Sequence, residues 1–164
     1  MITISQATSK DIPTIQAIAH QTWPLTYGSI LSSAQLEYML DLMYSDNSLL
    51  EQLTTKSMFF LAYEGKTCLG FSSCENNYRN NKVTRLHKIY ILPQAQGKGV
   101  GKALIENVIG IAKENQSDVI SLNVNKFNKA VSFYKKLGFE IVAEEDLDIG
   151  NGYLMEDYKM ELNL

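Results

Sequence analysis

The chain has 164 residues, 45% hydrophobic and 20% charged, with ten Gly, three Pro and a formal charge of −3, a composition that excludes disorder and fits a single domain over residues 1–164. A chain of this length buries roughly 70% of its unfolded surface, and Cys68 and Cys74 form neither a CxxC pair nor a Cys/His cluster, so no metal site or disulfide framework is expected. The N-terminus Met1-Ile2-Thr3-Ile4-Ser5 lacks a basic or apolar leader, and no apolar run approaches the roughly 18 residues of a membrane span; a cytoplasmic protein with reduced thiols and no membrane partner is expected.

Ile2 to Ala7 alternates as a strand. Asp11-Ile12-Pro13 opens a helix with Ile15, Ile18 and Ala19 on one face, which Pro24 is expected to end. Ser33 is expected to cap a second helix carrying Leu36, Met39, Leu40 and Met43, and Ser45 to Thr55 reads as a third. Met58 to Tyr63 and Cys68 to Glu75 flank Glu64-Gly65-Lys66 as a hairpin, and Thr84 to Leu92 is another strand. Gly99 to Lys113 is a helix, Val119 to Val124 a strand, and Asn128 to Leu137 a short helix closed by Gly138. Phe139 to Leu147 and Tyr153 to Leu162 are the last strands, joined through Asp148 to Gly152. The order predicts a mixed α/β fold, α+β in character, with helices around a mixed sheet.

Charge is segregated. Asp11 to Thr55 holds five carboxylates and no Lys or Arg, whereas Asn76 to Ile105 holds Arg79, Lys82, Arg85, Lys88, Lys98 and Lys102 and no carboxylate. Glu140 to Tyr158 is acidic again. This suits an anionic ligand on one side and a cationic one on the other, beside the plainer alternative of solvated faces. The basic zone is too modest, and its aromatics too scattered, for nucleic acid to be a partner.

Gln96-Gly97-Lys98-Gly99-Val100-Gly101-Lys102 lies between a strand and a helix. Small residues let the backbone approach a ligand, and a helix N-terminus presents unpaired N–H groups, so the stretch reads as an anion cradle or as a plain Gly-rich turn. It is neither a P-loop nor a dinucleotide fingerprint, because Gln96 stands five residues before Gly101, Ala103 follows Lys102, and Lys102 occupies the position of the third fingerprint glycine.

Gln96, Gly99 and Gly101 after Pro93 form a Gln-x-x-Gly-x-Gly pattern that resembles the acetyl-CoA pyrophosphate loop of the GNAT (Gcn5-related) N-acetyltransferases. Asn128 to Phe139, with Tyr134 and Gly138-Phe139, resembles the second motif of that family, although Asn128 lies one residue closer to the Tyr than is common there. The element order agrees along the whole chain. Thr26-Tyr27, Gln35 to Tyr44, Leu86 to Tyr90 and Asp157 to Glu161 resemble, more narrowly, the polyamine-acetylating, PaiA-related branch.

The resemblance implies the GNAT fold, a central mixed and mostly antiparallel sheet flanked by helices, and transfer of an acetyl group from acetyl-CoA to a primary amine of a small, polyamine-like acceptor. A non-catalytic acyl-CoA-binding module on the same fold is the alternative. The expected partners are acetyl-CoA and the amine, with a homodimer as an allowed assembly. By the same resemblance, the backbone of Ile89, Tyr90 and Ile91 pairs with the pantetheine arm, Gln96, Gly97, Lys98, Gly99, Val100, Gly101 and Lys102 hold the pyrophosphate, and Asn128 is a further cofactor contact. Tyr134 stays protonated at neutral pH and is the candidate proton donor to the departing sulfur, with a place in the apolar stripe Ala130, Phe133, Tyr134 and Leu137 as its alternative. Trp23, Tyr27, Glu75 and His87 are candidates for the acceptor site; His87 and Glu75 are the candidate bases, and each also reads as an ordinary surface or core residue.

Overall fold

In a computed structural model that describes residues 1–164, the apolar alternations become β1 (Ile2–Gln6), β2 (Ser57–Glu64), β3 (Thr67–Glu75), β4 (Val83–Ile91), β5 (Val119–Asn125), β6 (Glu140–Gly150) and β7 (Tyr153–Asn163). The helical periodicities become α1 (Ile12–Tyr27), α2 (Ser33–Tyr44), α3 (Asp46–Thr54), α4 (Val100–Glu114) and α5 (Ala130–Lys136). All strands join one sheet in the order β1-β2-β3-β4-β5-β7-β6. Its pairings are antiparallel except for β4 with β5, which α4 connects as a parallel crossover. This is the mixed, mostly antiparallel architecture expected. No helix is long and apolar enough to cross a membrane.

Adjacent side chains on a strand point to opposite faces. Tyr90 meets Trp23 of α1, with ring centroids 5.7 Å apart, while Ile91 lies beneath Gly101 of α4. The helices α1 to α3 therefore cover one face, where Trp23, Tyr44, Phe59 and Phe71 are buried, and α4 covers the other with Leu104, Ile105 and Val108.

Pro24 does not end α1. The helix runs one turn further, to Tyr27, with Pro24 inside it. Loss of an N–H and a ring clash cost a helix interior about 3 kcal/mol, but Trp23 and Tyr27 are 2% and 7% exposed. Burying two aromatic rings offsets that cost.

Several boundaries also move. Ser32, not Ser33, caps α2, its Oγ accepting from the Gln35 N–H at 3.1 Å. Ser45 caps α3, accepting from the Ser48 N–H. Gly99 precedes α4 as its left-handed cap, at φ 81°. α5 begins at Ala130, whose N–H donates to Asn128 Oδ1 at 2.9 Å. β6 continues to Gly150, because pairing with β7 persists to Gly150–Tyr153 and leaves the turn to Asn151 and Gly152.

Two glycines of α4 differ in what a side chain would meet. A Cβ at Gly101 would lie 3.0 Å from Ile91 Cδ1 and 3.1 Å from Phe133 Cζ, whereas one at Gly110 would meet nothing within 4 Å. Gly110→Ala is expected to raise unfolding free energy by about 0.5–1 kcal/mol through helix propensity. Gly101→Val is expected to lower it by about 1–3 kcal/mol through overpacking. Urea unfolding checks both, and a Gly101→Val variant as stable as the parent contradicts the close packing of α4 on β4.

Candidate active site

The parallel pairing of β4 and β5 covers only Val83–Leu86 against Val119–Leu122. Both strands continue, β4 to Ile91 and β5 to Asn125, without further pairing to each other. A bulge sets the parting: Lys88 lies opposite Ser73 and Leu86 opposite Cys74, so His87 is an extra residue in β4. Bulges bend a strand and increase its local twist. Beyond Leu86 the β5-facing edge of β4, including Ile89, Tyr90 and Ile91, has no strand partner. Such an edge can hydrogen-bond an extended ligand.

β4 leads directly to the Gly-rich turn. Gly97 and Gly99 have φ of 83° and 81°, and a Cβ on either would meet nothing within 4 Å. Their left-handed backbone favours glycine, and open space lies above it. The first helical ring of α4 closes from the Ala103 N–H to the Gly99 carbonyl at 3.0 Å, so the N–H groups of Val100, Gly101 and Lys102 precede it and face outward at the positive end of the helix dipole. Lys98 and Lys102 stand alongside, in exposed pairs with Glu64 at 3.7 Å and Glu106 at 3.9 Å. Surface pairs of this kind hold their partners weakly, so both ammonium groups remain able to turn toward an anion. Gln96 is exposed at the start of the turn. The geometry fits a pyrophosphate; the smallness of Gly101 also serves packing on Ile91 and Phe133.

The last turn of α1 projects Tyr27 toward the parting. Its hydroxyl lies 3.0 Å from the Tyr90 hydroxyl, and either can donate. Burial raises the Tyr27 pKa, the Tyr90 hydroxyl and the Asn128 amide pull it down, and the Asp157 charge adds to the rise. The same phenol raises the pKa of Tyr134, although burial is the larger cause there. Tyr27, Tyr90 and Tyr134 are therefore neutral donors at physiological pH. Tyr134 is held edge-on by Phe133 and Phe139, at 5.4 and 5.7 Å. Asn128 Oδ1 accepts from the Ala130 N–H at the start of α5, and the Asn128 amide lowers the Tyr27 pKa. Trp23 is fully buried beneath this group, 4.7 Å from Tyr27 and 5.7 Å from Tyr44, and supports Tyr27 from the core.

The two candidate bases find each other. His87 Nε2 lies 3.0 Å from Glu75 Oε1, with Tyr78 edge-on to the imidazole. Burial lowers the His87 pKa, with Lys88 and Arg85 adding to the fall against Glu75.

Two cations of the basic zone turn inward onto protein groups. Lys88 donates to Gln52 Oε1 at 2.8 Å and lies 5.6 Å from the Tyr44 ring centroid, and burial lowers its pKa to about 8. Arg85 donates to Ser121 Oγ at 3.1 Å and to Asn123 Oδ1 at 2.6 Å. Asn123 in turn donates to Glu145 Oε2 at 2.9 Å and Asp157 Oδ2 at 3.3 Å. Sequence reading did not single out Asp157 as a site residue. It is 6% exposed, and its carboxyl pKa is raised by burial.

α2 and the β6–β7 hairpin wall this region. Tyr38 donates to the Ile149 carbonyl at 3.0 Å and packs on Tyr153, and Gln35 donates to the Leu154 carbonyl at 3.2 Å. Glu37 and Asp41 of α2 are exposed on its outer side.

Residues 30–162 match the model of the acetyltransferase (GNAT) domain family. An uncharacterized N-acetyltransferase of Methanocaldococcus jannaschii is 37% identical over 87 residues, which are 50% of this chain and 38% of that protein. Spermidine N(1)-acetyltransferase of Thermoplasma acidophilum is 29% identical over 161 residues, 94% of this chain and 96% of that protein. Among solved structures, the PaiA N-acetyltransferase of Thermoplasma acidophilum in complex with coenzyme A superposes with a TM-score of 0.85 at 26% identity, over 100% of this chain and 99% of that one. The ribosomal-protein-S18-alanine N-acetyltransferase of Escherichia coli shares the fold, with a TM-score of 0.74 at 19% identity over 99% and 94% of the two chains. A split parallel pair, a Gly-rich turn at a helix N-terminus and a family match over most of the sequence agree: the chain belongs to the GNAT family and is an N-acetyltransferase with acetyl-CoA as its acyl donor.

Proposed function

We propose that the acceptor is a primary amine of a small cationic, polyamine-like molecule. The observation that carries this reading is the placement of charge about the parting of β4 and β5. Lys98 and Lys102 stand at the α4 end, whereas Glu75, Glu145 and Asp157 lie on β3, β6 and β7, with Arg85 and Lys88 already engaged by protein groups. An anionic donor and a cationic acceptor then meet from opposite sides. The spermidine acetyltransferase of Thermoplasma, aligned over nearly the whole chain, supports the same class. The free thiols Cys68 and Cys74, the latter pushed up to about 12 by burial, suit a reducing cytoplasm.

Acetyl-CoA supplies an activated thioester. In this reading the open edge of Ile89, Tyr90 and Ile91 aligns its pantetheine arm, Gln96 to Lys102 hold its pyrophosphate, and Asn128, at the start of α5, is a further cofactor contact. A neutral amine nitrogen attacks the acetyl carbon, the C–S bond breaks, and Tyr134 donates its proton to the departing sulfur. Tyr27, backed by Trp23, shapes the acceptor side, and the Glu75–His87 pair adds negative charge at its rim. Positioning supplies most of the acceleration, and the proton donor supplies the rest.

In an amine panel followed by thiol release, spermidine-like polyamines are expected to show higher kcat/KM than neutral or acidic amino acids. The margin should shrink as salt shortens the Debye length to roughly 8 Å near 0.15 M. An acidic or neutral acceptor preferred at low salt contradicts the reading. Separately, Tyr134→Phe is expected to lower kcat about 100-fold, toward the low end of what a positioned proton donor contributes, with the CoA dissociation constant unchanged. Equal kcat in the two proteins, with chemistry limiting, would return Tyr134 to a packing role.

A further inference from the structure

We propose that Asp157 receives the reacting amine of the acceptor, binding it as the ammonium and taking its proton before attack; this rests on the amine-acceptor reading above. Asp157 is 6% exposed, and its Oδ1 is buried with no hydrogen-bond donor. Its Oδ2 has a single long bond, 3.3 Å from Asn123 Nδ2. A buried carboxylate oxygen without a donor is costly, and sites that carry such a cost are commonly functional.

The surroundings are one cation short. Arg85 from β4, Asn123 from β5, Glu145 from β6 and Tyr27 from α1 face the carboxylate. Arg85 balances one of the two carboxylates and spends its donors on Ser121 and Asn123. The other cations of β4 and β7 do not supply the missing charge, since Lys88 is bonded to Gln52, His87 to Glu75, and Lys159 is paired with Glu161. An ammonium is the ligand that completes the set.

Position agrees with charge. The Tyr27 hydroxyl bonds that of Tyr90 beyond the last residue of β4 paired with β5, and the Asp157 charge raises the Tyr27 pKa. Asp157 pairs with Asn125, beyond Leu122 where β5 leaves β4, and the segment after Asn125 leads into α5, which carries Tyr134. Burial, with the Glu145 charge, raises the Asp157 pKa against the pull of Asn123 and Arg85, which makes the carboxylate a stronger base than its exposed counterpart.

The step balances. The ammonium gives one proton to the Asp157 carboxylate and becomes a neutral amine. Its nitrogen attacks the acetyl carbon, the C–S bond breaks, and sulfur takes a proton from Tyr134. The second nitrogen proton restores Tyr134, and Asp157 releases its proton to water as the uncharged acetamide departs.

The test is kcat/KM against pH for Asp157→Asn and the parent, using the amine the parent acetylates best, after circular dichroism and CoA titration show an intact fold and donor site. The expected deficit is about 100-fold near neutrality, narrowing to about 10-fold or less toward about pH 9.5, where solution supplies more free amine. Asp157→Glu should keep the parent's pH dependence at a lower rate. A deficit independent of pH, or a folded Asp157→Asn enzyme within about twofold of the parent near neutrality, overturns the proposal. If Asp157→Asn fails to fold, Asp157→Ser carries the same comparison. An acidic amine emerging as the best acceptor sinks the cationic-acceptor reading, while the pH comparison made with that amine still decides the role of Asp157.

Discussion

The site depends on a pairing that stops early. β4 and β5 are hydrogen-bonded through Leu86 and Leu122, and then the extra residue His87 bends β4 away from its parallel neighbour. A central strand ordinarily satisfies both of its edges, and leaving one open costs stability. The rest of the fold tolerates that cost. α1 to α3 close one face with Trp23, Tyr44 and Phe71, α4 closes the other, and the long β6–β7 hairpin restores a partner to the far side of β5. The facing edges of β4 and β5 beyond Leu86 and Leu122 are then left open to a ligand.

The groups given roles in the proposed reaction come from elements around that parting. The turn after β4 brings the α4 N-terminus and two glycines with open space above them to one end. The last turn of α1, kept helical past Pro24 by aromatic burial, brings Tyr27 against Tyr90. β7 brings Asp157 from the other side, tied through Asn123 to Arg85 and Glu145. A proline that local propensity reads as a stop is thus carried inside a helix to place a phenol, a case of tertiary packing overriding a local preference.

Much of this was legible in the sequence, and what was not has identifiable causes. Period-two and period-3.6 patterns fix the strands and α4 because burial imposes them directly. The Gly-rich turn is legible because left-handed backbone and helix N-termini leave local marks at Gly97 and Gly99. Asp157 left no such mark. It sits in an acidic stretch next to Glu156, and only the pairing of β7 between β5 and β6 buries one and exposes the other. The inward turn of Arg85 and Lys88 was hidden for the same reason, since Ser121, Asn123 and Gln52 lie more than thirty residues away in sequence. Contacts that join distant segments are invisible to periodicity.

The most direct test of the account is amide hydrogen exchange with and without CoA. The open edge predicts that amides of Ile89 to Ile91 and of Gly97 to Lys102 gain protection when CoA binds, while those of the β6–β7 hairpin do not change. Saturating CoA that protects the hairpin, and leaves the β4 edge and the α4 N-terminus exchanging as before, would contradict a donor site built on the parting of β4 and β5.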